Sequence, residues 1–494
     1  MAAAPIRLSE LLPGAGDLAV TGVSLDSRRV RPGDLYAALP GQHTHGARFA
    51  GQAAELGAVA VLTDAEGATL AAGRLPVIVV GDPRAALAEV AAAVHGHPAR
   101  TMRMFGITGT NGKTSTMYLL EAALVALGET VGTLGTIGFR VAGRQLARTR
   151  STVTTPESPD LQQLLAELRD DGVTSVAMEV SSHALALHRV AGIAFDVAAF
   201  THLGRDHLDF HGTMENYFEA KARLFLEGRS RSCVVNIDGE WGRRLAGLIR
   251  AEGTPLLTTG ESADADVRLL ATESDDEGRS VVTVAGPAGD LGFTVGLPGA
   301  FNVQNAITAA AMVQAAGLDL GRAVEGFAAA AVPGRMQRVP LGPGAPRVIV
   351  DFAHTPEAVA AALAALPPPR IAVLGAGGDR DPSKREPMGA AAASNAELVV
   401  VTDDNPRSEV PERIRSRVLA GARAAGSAEV VDGGDRRSAI ALALSRATAD
   451  SWVAVLGKGH ESGQDIGGVT SPFDDVAVVG EEWRRLATEG ESGA

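Results

Sequence analysis

The sequence predicts an α/β protein of three domains. Three observations predict it. The chain has 494 residues, about three times the length of an ordinary domain. Short apolar runs of strand character alternate with stretches of helical periodicity. Two turn-rich passages, His95-Gly96-His97-Pro98 and Pro333-Gly334-Arg335, interrupt that alternation. The expected domains are therefore 1–98, 99–335 and 336–494.

Composition narrows the class. The chain is 46% hydrophobic and 21% charged, as in proteins with packed interiors. Its net charge of −13 argues against partners such as nucleic acid or an anionic membrane, which need a basic face. No run approaches the apolar length of a membrane span. The opening Met1-Ala2-Ala3-Ala4-Pro5-Ile6-Arg7 is not a basic region followed by an apolar one, so a cytoplasmic protein is expected. No obligate protein partner is evident. Cys233 is the single cysteine and sits in the apolar Cys233-Val234-Val235, which reads as a core thiol rather than a nucleophile.

In the first domain, 58–62 and 77–80 read as strands and 84–95 as a helix. The second opens with a strand over 103–107, a glycine-rich loop, and a helix over 113–127 whose Met117, Leu120, Leu124 and Leu127 share one face. Further strands over 173–180, 195–200 and 233–237 complete a parallel sheet. Segments 266–271, 280–285 and 291–296 read as a small extra β-sheet, and 303–316 as a helix. In the third domain, strands over 348–351, 371–374, 397–401, 429–431 and 452–456 alternate with helices near 357–366, 384–394, 410–424 and 436–447. That is a doubly wound, Rossmann-like pattern. Position 380, where a dinucleotide fingerprint begun at Gly375 and Gly377 would need its third glycine, is Arg.

The strongest motif is Gly109-Thr110-Asn111-Gly112-Lys113-Thr114, set between strand and helix. Backbone N–H groups of such a loop cradle phosphates at the helix N-terminus. Lys113 can reach the terminal phosphates and Thr114 can ligate Mg²⁺. Position 107 is Ile, where the common loop has its first glycine. No Asn-Lys-x-Asp segment exists, so guanine recognition of the common kind is not expected. The loop alone leaves the use of the nucleotide open. A second signal is the rarity of lysine: of 45 Lys and Arg, only Lys113, Lys221, Lys384 and Lys458 are Lys. Each is a candidate for a role that guanidinium cannot fill.

Several segments follow in order. Thr108–Thr114 precedes Met178-Glu179-Val180-Ser181-Ser182-His183, then His202-Leu203-Gly204-Arg205-Asp206-His207, and Tyr217-Phe218-Glu219-Ala220-Lys221. Later come Ala300-Phe301-Asn302-Val303-Gln304-Asn305, Pro333-Gly334-Arg335-Met336 and Asp351-Phe352-Ala353-His354-Thr355-Pro356. In kind and order, over nearly the whole chain, they resemble the Mur ligases; the phosphate loop alone also resembles that of folylpolyglutamate synthases. Asp404-Asn405-Pro406-Arg407, Gly378-Asp379-Arg380-Asp381 and Gly457-Lys458-Gly459-His460-Glu461 resemble the diaminopimelate-adding branch.

The resemblance implies an ATP-dependent amide ligase of peptidoglycan synthesis. It would join meso-diaminopimelate to the D-glutamate γ-carboxylate of UDP-N-acetylmuramoyl-L-alanyl-D-glutamate through an acyl phosphate. The first domain would bind the UDP end through Leu25, Ser27, Gln42, His43 and Thr44. Thr154, Thr155, Ser181 and Arg189 would meet the muramoyl peptide. ATP would lie on Gly109–Thr114 with Asn302, Arg335 and Asp351 as further contacts. Two Mg²⁺ would be held by Thr114, Glu179, His207 and a carbamylated Lys221, with Lys113, His207 and Lys221 as the catalytic set. Diaminopimelate would be bound by Arg380, Asp404, Asn405, Pro406, Arg407, Gly457 and Glu461. Two guanidinium groups can clamp its distal carboxylate and Glu461 its ammonium. Two departures stand out: Phe352 where Tyr is more frequent, and Leu187 where a relative carries Gln. A lysine-adding relative, a folylpolyglutamate synthase and a nucleotide-binding switch are the alternatives.

Overall fold

The computed structural model describes residues 5–41, 44–146, 154–275 and 279–492. The chain divides into two compact units. One comprises 1–271, 282–293 and 304–327; the other 272–281, 294–303 and 328–494.

Near the N-terminus four parallel strands pair in sequence order: β1 (Gly22–Ser24), β2 (Asp34–Ala37), β3 (Ala60–Thr63) and β4 (Val77–Val79). β3 and β4 are the expected strands. β1 and β2 were not expected, because Gly22-Val23-Ser24 is too short and polar to stand out. Helix α1 (Pro83–Val94) starts where Asp82 accepts from the N–H groups of Arg84 and Ala85, with Pro at its first position. Its Leu87, Val90 and Val94 pack with Leu35, Ala60, Leu62 and Ile78 of the sheet.

Most of an eleven-stranded sheet lies in the first unit. Its strands are β5 (Arg103–Thr108), β6 (Val131–Gly135), β7 (Gly138–Val141), β8 (Arg144–Gln145), β9 (Ser175–Glu179), β10 (Phe195–Phe200), β11 (Ser230–Asn236), β12 (Leu256–Gly260), β13 (Val267–Ser274), β14 (Ser280–Ala285) and β15 (Leu291–Val295). They lie in the order β8-β7-β6-β9-β5-β10-β11-β12-β13-β14-β15. β5 sits between β9 and β10, parallel to both. These three strands are apolar along nearly their whole length and almost wholly buried, as strands covered on both faces must be. β13–β15, expected as a small extra sheet, instead continue this sheet at one edge, because β12 and β13 pair through Thr259↔Val267 and Gly260↔Arg268. Helix α2 (Lys113–Ala126) follows β5, and α3 (Ser158–Asp170) buries Leu161, Leu164, Leu165 and Leu168. Short helices α4 (Ser182–Ala186) and α5 (Met214–Ala222) and the long α6 (Ala300–Ala315) complete the elements around the loop.

The second unit carries a six-stranded sheet of β16 (Gln337–Val339), β17 (Arg347–Asp351), β18 (Arg370–Leu374), β19 (Leu398–Thr402), β20 (Glu429–Gly434) and β21 (Trp452–Leu456), in the order β16-β17-β21-β18-β19-β20. All pairs are parallel except β16 with β17. Side chains alternate between two cores: Ile349, Ala372, Leu374, Val399 and Leu456 face one way, and Val350, Val373, Val400 and Val455 the other. The expected helices are present as α7 (Pro356–Ala364), α8 (Arg385–Ala393), α9 (Pro411–Ala425) and α10 (Arg436–Arg446). A hairpin of β22 (Gly463–Ile466) and β23 (Val469–Pro472) and a last helix α11 (Asp475–Ser492) were not expected. Arg436 and Asp475, both wholly buried, join α10 to α11 through two bonds of 2.7 Å.

Candidate active site

The glycine-rich loop leaves β5 at its carboxyl end, where ligands of parallel sheets bind. Gly109 has φ +152° and Gly112 φ +85°. A Cβ on Gly109 would lie 1.9 Å from Thr201 Oγ1, and one on Gly112 would lie 2.4 Å from Asn305 Oδ1. Both positions therefore require glycine. The loop is pinned from β10: Thr110 N donates to His202 O at 2.7 Å, and Thr201 Oγ1 donates to Asn111 O at 2.7 Å. No side chain caps α2 at Gly112, so its first N–H groups are left for an anion. Lys113 Nζ folds back on the loop carbonyls of Gly109 and Thr110 at 2.8 and 2.9 Å.

Beside the loop, Glu179 ends β9 and is 1% exposed. Its Oε1 accepts from Thr114 Oγ1 at 2.9 Å and Thr136 N at 3.0 Å; its Oε2 accepts from Thr136 Oγ1 at 3.0 Å. Thr136 also touches Thr154, hydroxyl to hydroxyl at 3.2 Å. Thr155 is buried and donates to Glu179 O at 2.9 Å, while accepting from Ser181 N. Arg189 Nη1 donates to Thr155 O at 3.0 Å, and Arg189 Nη2 meets Glu157 at 2.8 Å. Its Nε is buried without a partner among the described residues. Thr154, Thr155, Ser181 and Arg189, expected along the muramoyl peptide, thus form one network with the carboxylate at the phosphate loop. Sequence reasoning missed Thr136 and Glu157, which carry no motif.

Lys221 lies on α5, 1% exposed, with Nζ 3.0 Å from Gly109 O and 4.7 Å from the centre of the Tyr217 ring. Burial, with the Lys113 ammonium nearby, holds its amine well below the usual lysine range. Tyr217 OH in turn lies 3.2 Å from Thr110 Oγ1. Tyr217 was not assigned a role from sequence, although a signal existed: the chain has three tyrosines, and this one stands one helical turn before Lys221. His207 has φ +52° and pairs with Asp206 at 3.4 Å; its ring meets His183 edge-on, centres 4.9 Å apart. His211 stacks against Tyr217 and lies 2.9 Å from Ser182 Oγ; burial pushes it down to about 4.

Of the four implied metal ligands, Thr114 and Glu179 are in contact and Lys221 shares the loop carbonyl of Gly109, whereas His207 turns to Asp206. Among the described residues no three His, Cys, Asp or Glu side chains converge as a metal cage. A buried hydroxyl and carboxylate beside a phosphate loop nonetheless fit Mg²⁺, which takes one or two protein oxygens and completes its shell with phosphates and water.

In the second unit the expected residues cluster at the carboxyl ends of β17, β18, β19 and β21. Asp351 Oδ2 accepts from Met336 N at 2.7 Å; burial pushes its carboxyl up, against the pull of Arg335. The Arg335 guanidinium lies 4.6 Å from the centre of the Phe352 ring, so the phenyl face serves where Tyr is more frequent. Asn302 is buried and donates to Pro298 O at 2.8 Å. Asn405 donates to Glu461 Oε2 at 2.7 Å and accepts from Lys458 Nζ at 3.1 Å. Lys458 is wholly buried and lies 3.3 Å from Glu461. A Cβ on Gly457 would meet Asp404 Oδ2 at 2.4 Å. Arg407 follows Pro406 with φ +52° and donates through Nη1 to Gly378 O at 2.6 Å. Arg380 is exposed. A Cβ built on Gly377 would lie 3.0 Å from Arg407 Nη1 and 3.7 Å from Arg380 Cγ, so the Arg407 guanidinium and the stem of Arg380 flank one point. None of the four lysines is fully exposed.

Near the N-terminus, Ser27 is buried and donates to Gln52 Oε1 at 2.7 Å. Leu25 packs partly against the sheet core, and Thr44 is exposed. Gln42 and His43 lie outside the described residues.

Three family models match: the Mur ligase family catalytic domain over 19–95, the Mur ligase middle domain over 107–313, and the Mur ligase glutamate ligase domain over 334–459. The chain is 48% identical over 479 residues to the UDP-N-acetylmuramoyl-L-alanyl-D-glutamate--2,6-diaminopimelate ligase of Streptomyces coelicolor, covering 94% of this chain and 93% of the relative. It is 45% identical over 491 residues to that of Corynebacterium efficiens, covering 96% and 92%. A solved structure of a ligase of the same name superposes with a TM-score of 0.74 at 31% identity, covering 98% of this chain and all of that one. With domain matches, chain-long identity and fold in agreement, the chain belongs to the Mur ligase family.

Proposed function

We propose that the chain joins meso-diaminopimelate to UDP-N-acetylmuramoyl-L-alanyl-D-glutamate at the expense of ATP, giving the UDP-muramoyl tripeptide, ADP and phosphate. Relatives of that name, matched over nearly their whole length, support it. The observation that carries the choice of amino acid is Arg407, in Asp404-Asn405-Pro406-Arg407 beside Arg380. The Arg407 guanidinium, with the stem of the exposed Arg380 beside it, suits the second carboxylate of diaminopimelate, which lysine lacks.

In this reading residues 1–98 take the UDP end, 99–335 take ATP and 336–494 take the amino acid. ATP lies on Gly109–Thr114, with Asn302, Arg335 and Asp351 as further contacts. Arg189, whose Nε is buried and unpaired among the described residues, offers that donor to the substrate carboxylate. The γ-carboxylate attacks the γ-phosphate and ADP leaves. Lys113 and the N–H groups at the start of α2 offset the charge on the phosphoryl oxygens. The amine then attacks the acyl phosphate and phosphate departs. Thr114, Glu179, His207 and a carbamylated Lys221 would hold Mg²⁺, which neutralises phosphate charge when bound. Burial of Lys221 supports the carbamate, because only a neutral amine adds to CO₂.

In the Asn405–Lys458–Glu461 cluster, Asn405 acts by orienting Glu461 toward the substrate ammonium. The experiment is ATP-dependent phosphate release with the UDP-muramoyl dipeptide and meso-diaminopimelate, L-lysine or no amino acid. Release with diaminopimelate alone is expected. Release with lysine alone would reverse the specificity assignment, and release that ignores both amino acids would remove the ligase reading.

A further inference from the structure

The loops that carry Arg380 and Arg407 hold each other, in part through Arg407 Nη1 on Gly378 O at 2.6 Å and otherwise through residues that are neither arginine. Two non-glycine residues in these loops, Asp379 and Arg407, have left-handed backbone with φ of 52° each. That conformation is costly for a residue with a Cβ and persists only where the surroundings impose it. Here they do. The Asp379 carboxylate accepts from Ser408 N at 3.1 Å and from Ser408 Oγ at 2.6 Å. Asp379 N donates to Glu409 Oε1 at 2.7 Å. Glu409 is in turn gripped by Arg385 through bonds of 2.7 and 2.9 Å, and Arg385 is only 4% exposed. Gly378 N donates to Asn405 O at 2.9 Å, and a Cβ on Gly378 would fall 1.9 Å from Pro406 O. The two backbones are thus pressed together with no room for a side chain.

Arg407 is fixed from two further directions. Its N–H donates to Asp465 O at 3.0 Å, and Gly467 N donates to its carbonyl at 2.7 Å. Arg380, next in the chain to Asp379, is exposed. Its backbone is fixed through Asp379. The Arg407 guanidinium already rests on this loop through Gly378 O at 2.6 Å, so where Arg380 lies against it depends on the Asp379–Ser408 and Asp379–Glu409 bonds that hold the next residue.

We propose that Asp379 is a positioning residue for amino-acid specificity: by locking its loop to Ser408 and Glu409, it sets the spacing of Arg380 and Arg407 at which both engage one distal carboxylate. The inference rests on the diaminopimelate reading above. Paired guanidinium recognition of a carboxylate is geometric as well as electrostatic. Arginines released from their spacing still attract the charge but lose the fit. An amino acid without that carboxylate gains nothing from the spacing, so the clamp is read as selectivity.

The test is steady-state phosphate release by the full chain, wild type against Asp379→Asn, Asp379→Ala and Ser408→Ala. Asn tolerates the left-handed backbone well, so Asp379→Asn weakens the bonds and keeps the conformation. Asp379→Ala removes the carboxylate bonds to Ser408 and disfavours the left-handed backbone, leaving only the backbone N–H to Glu409. The KM for diaminopimelate is expected to rise roughly tenfold or more in Asp379→Ala and less in Asp379→Asn, the loss of a charge-assisted bond. The KM values for ATP and for the UDP-linked substrate stay within about twofold, and the rate with L-lysine, however low, is unchanged. A diaminopimelate KM within about twofold of wild type in both Asp379→Ala and Ser408→Ala overturns the proposal, as does a parallel rise in all three KM values. If Asp379→Ala does not fold, Ser408→Ala decides, because it removes the shorter, hydroxyl bond to the same carboxylate from the other side. A wild type that releases no phosphate with diaminopimelate is a different result, and it removes the functional reading itself.

Discussion

Lys221 and His211 stand five ångströms or so from the same tyrosine ring, and burial acts on both by disfavouring charge. For Lys221 the consequence is chemical. Replacing it with Arg, which keeps a cation but cannot form a carbamate, is expected to lower kcat by about a hundredfold or more, the scale of losing a charge-positioning group at a phosphoryl site. A ¹³C-carbamate NMR signal present in wild type and absent in the variant checks it. For His211 the consequence is thermodynamic. Its folded value of about 4 lies below its usual 6.5, so between those values the unfolded chain binds the extra proton. Stability from this group is therefore present above pH 6.5 and is lost as pH falls toward 4. Urea midpoints are expected to drop across that window, and less steeply in His211→Gln. At this scale, sequence reasoning found residues that are rare or sit in motifs, such as Lys113, Glu179 and Lys221. It missed Thr136, which has no motif and reaches Glu179 only because the turn after β6 passes the end of β9.

At the scale of elements, long apolar runs were legible and edges were not. β5, β9 and β10 are buried on both faces and announce themselves as stretches apolar along nearly their whole length. β1, β7 and β8 are short and polar, and their pairing comes from neighbours rather than from pattern. The role of β13–β15 was hidden for the same reason, since nothing local says whether a strand joins an existing sheet. Helix α11 supplies one half of a buried ion pair by bringing Asp475 to Arg436. Breaking that pair with Arg436→Met is expected to cost about 3–5 kcal/mol, because the carboxylate is left buried and unpaired. The double variant Arg436→Met with Asp475→Leu is expected to recover much of the loss. Thermal melts of the three proteins would show it, and a double variant no better than the single one would refute it. Gly112→Ala acts on another element. It forces a Cβ against Asn305 at the start of α2 in a left-handed backbone, so ATP affinity is expected to fall at least about tenfold and the melting temperature to drop with it, by a cost of about 1–2 kcal/mol.

The molecule as a whole carries −13 charges and, on the proposed function, works on a nucleotide-linked peptide and a nucleoside triphosphate that are themselves anions. Local groups must then overcome an unfavourable global field. Raising ionic strength from low to physiological values, with Mg²⁺ held constant, is expected to lower the KM for the UDP-linked substrate by roughly two- to threefold as that field is screened. A KM that rises with salt would mean that steering toward the site is attractive. The three-domain pattern was legible because strand–helix alternation persists over hundreds of residues. The grouping into two compact units was not, because it depends on contacts between segments distant in the chain.

The lysines leave a practical consequence. Lys221 and Lys458 are buried and Lys113 and Lys384 half-buried, so the fully exposed cationic side chains are guanidinium groups. Reagents that hunt lysine amines, such as acylating tags, aldehyde fixatives and reducing sugars, find no fully exposed lysine on this protein. Whatever lysine modification they do achieve falls at Lys113, Lys221, Lys384 or Lys458. An acylation ladder read by mass spectrometry thus reports first on the half-buried Lys113 and Lys384, with bound nucleotide expected to shield Lys113 and leave Lys384 as the internal reference.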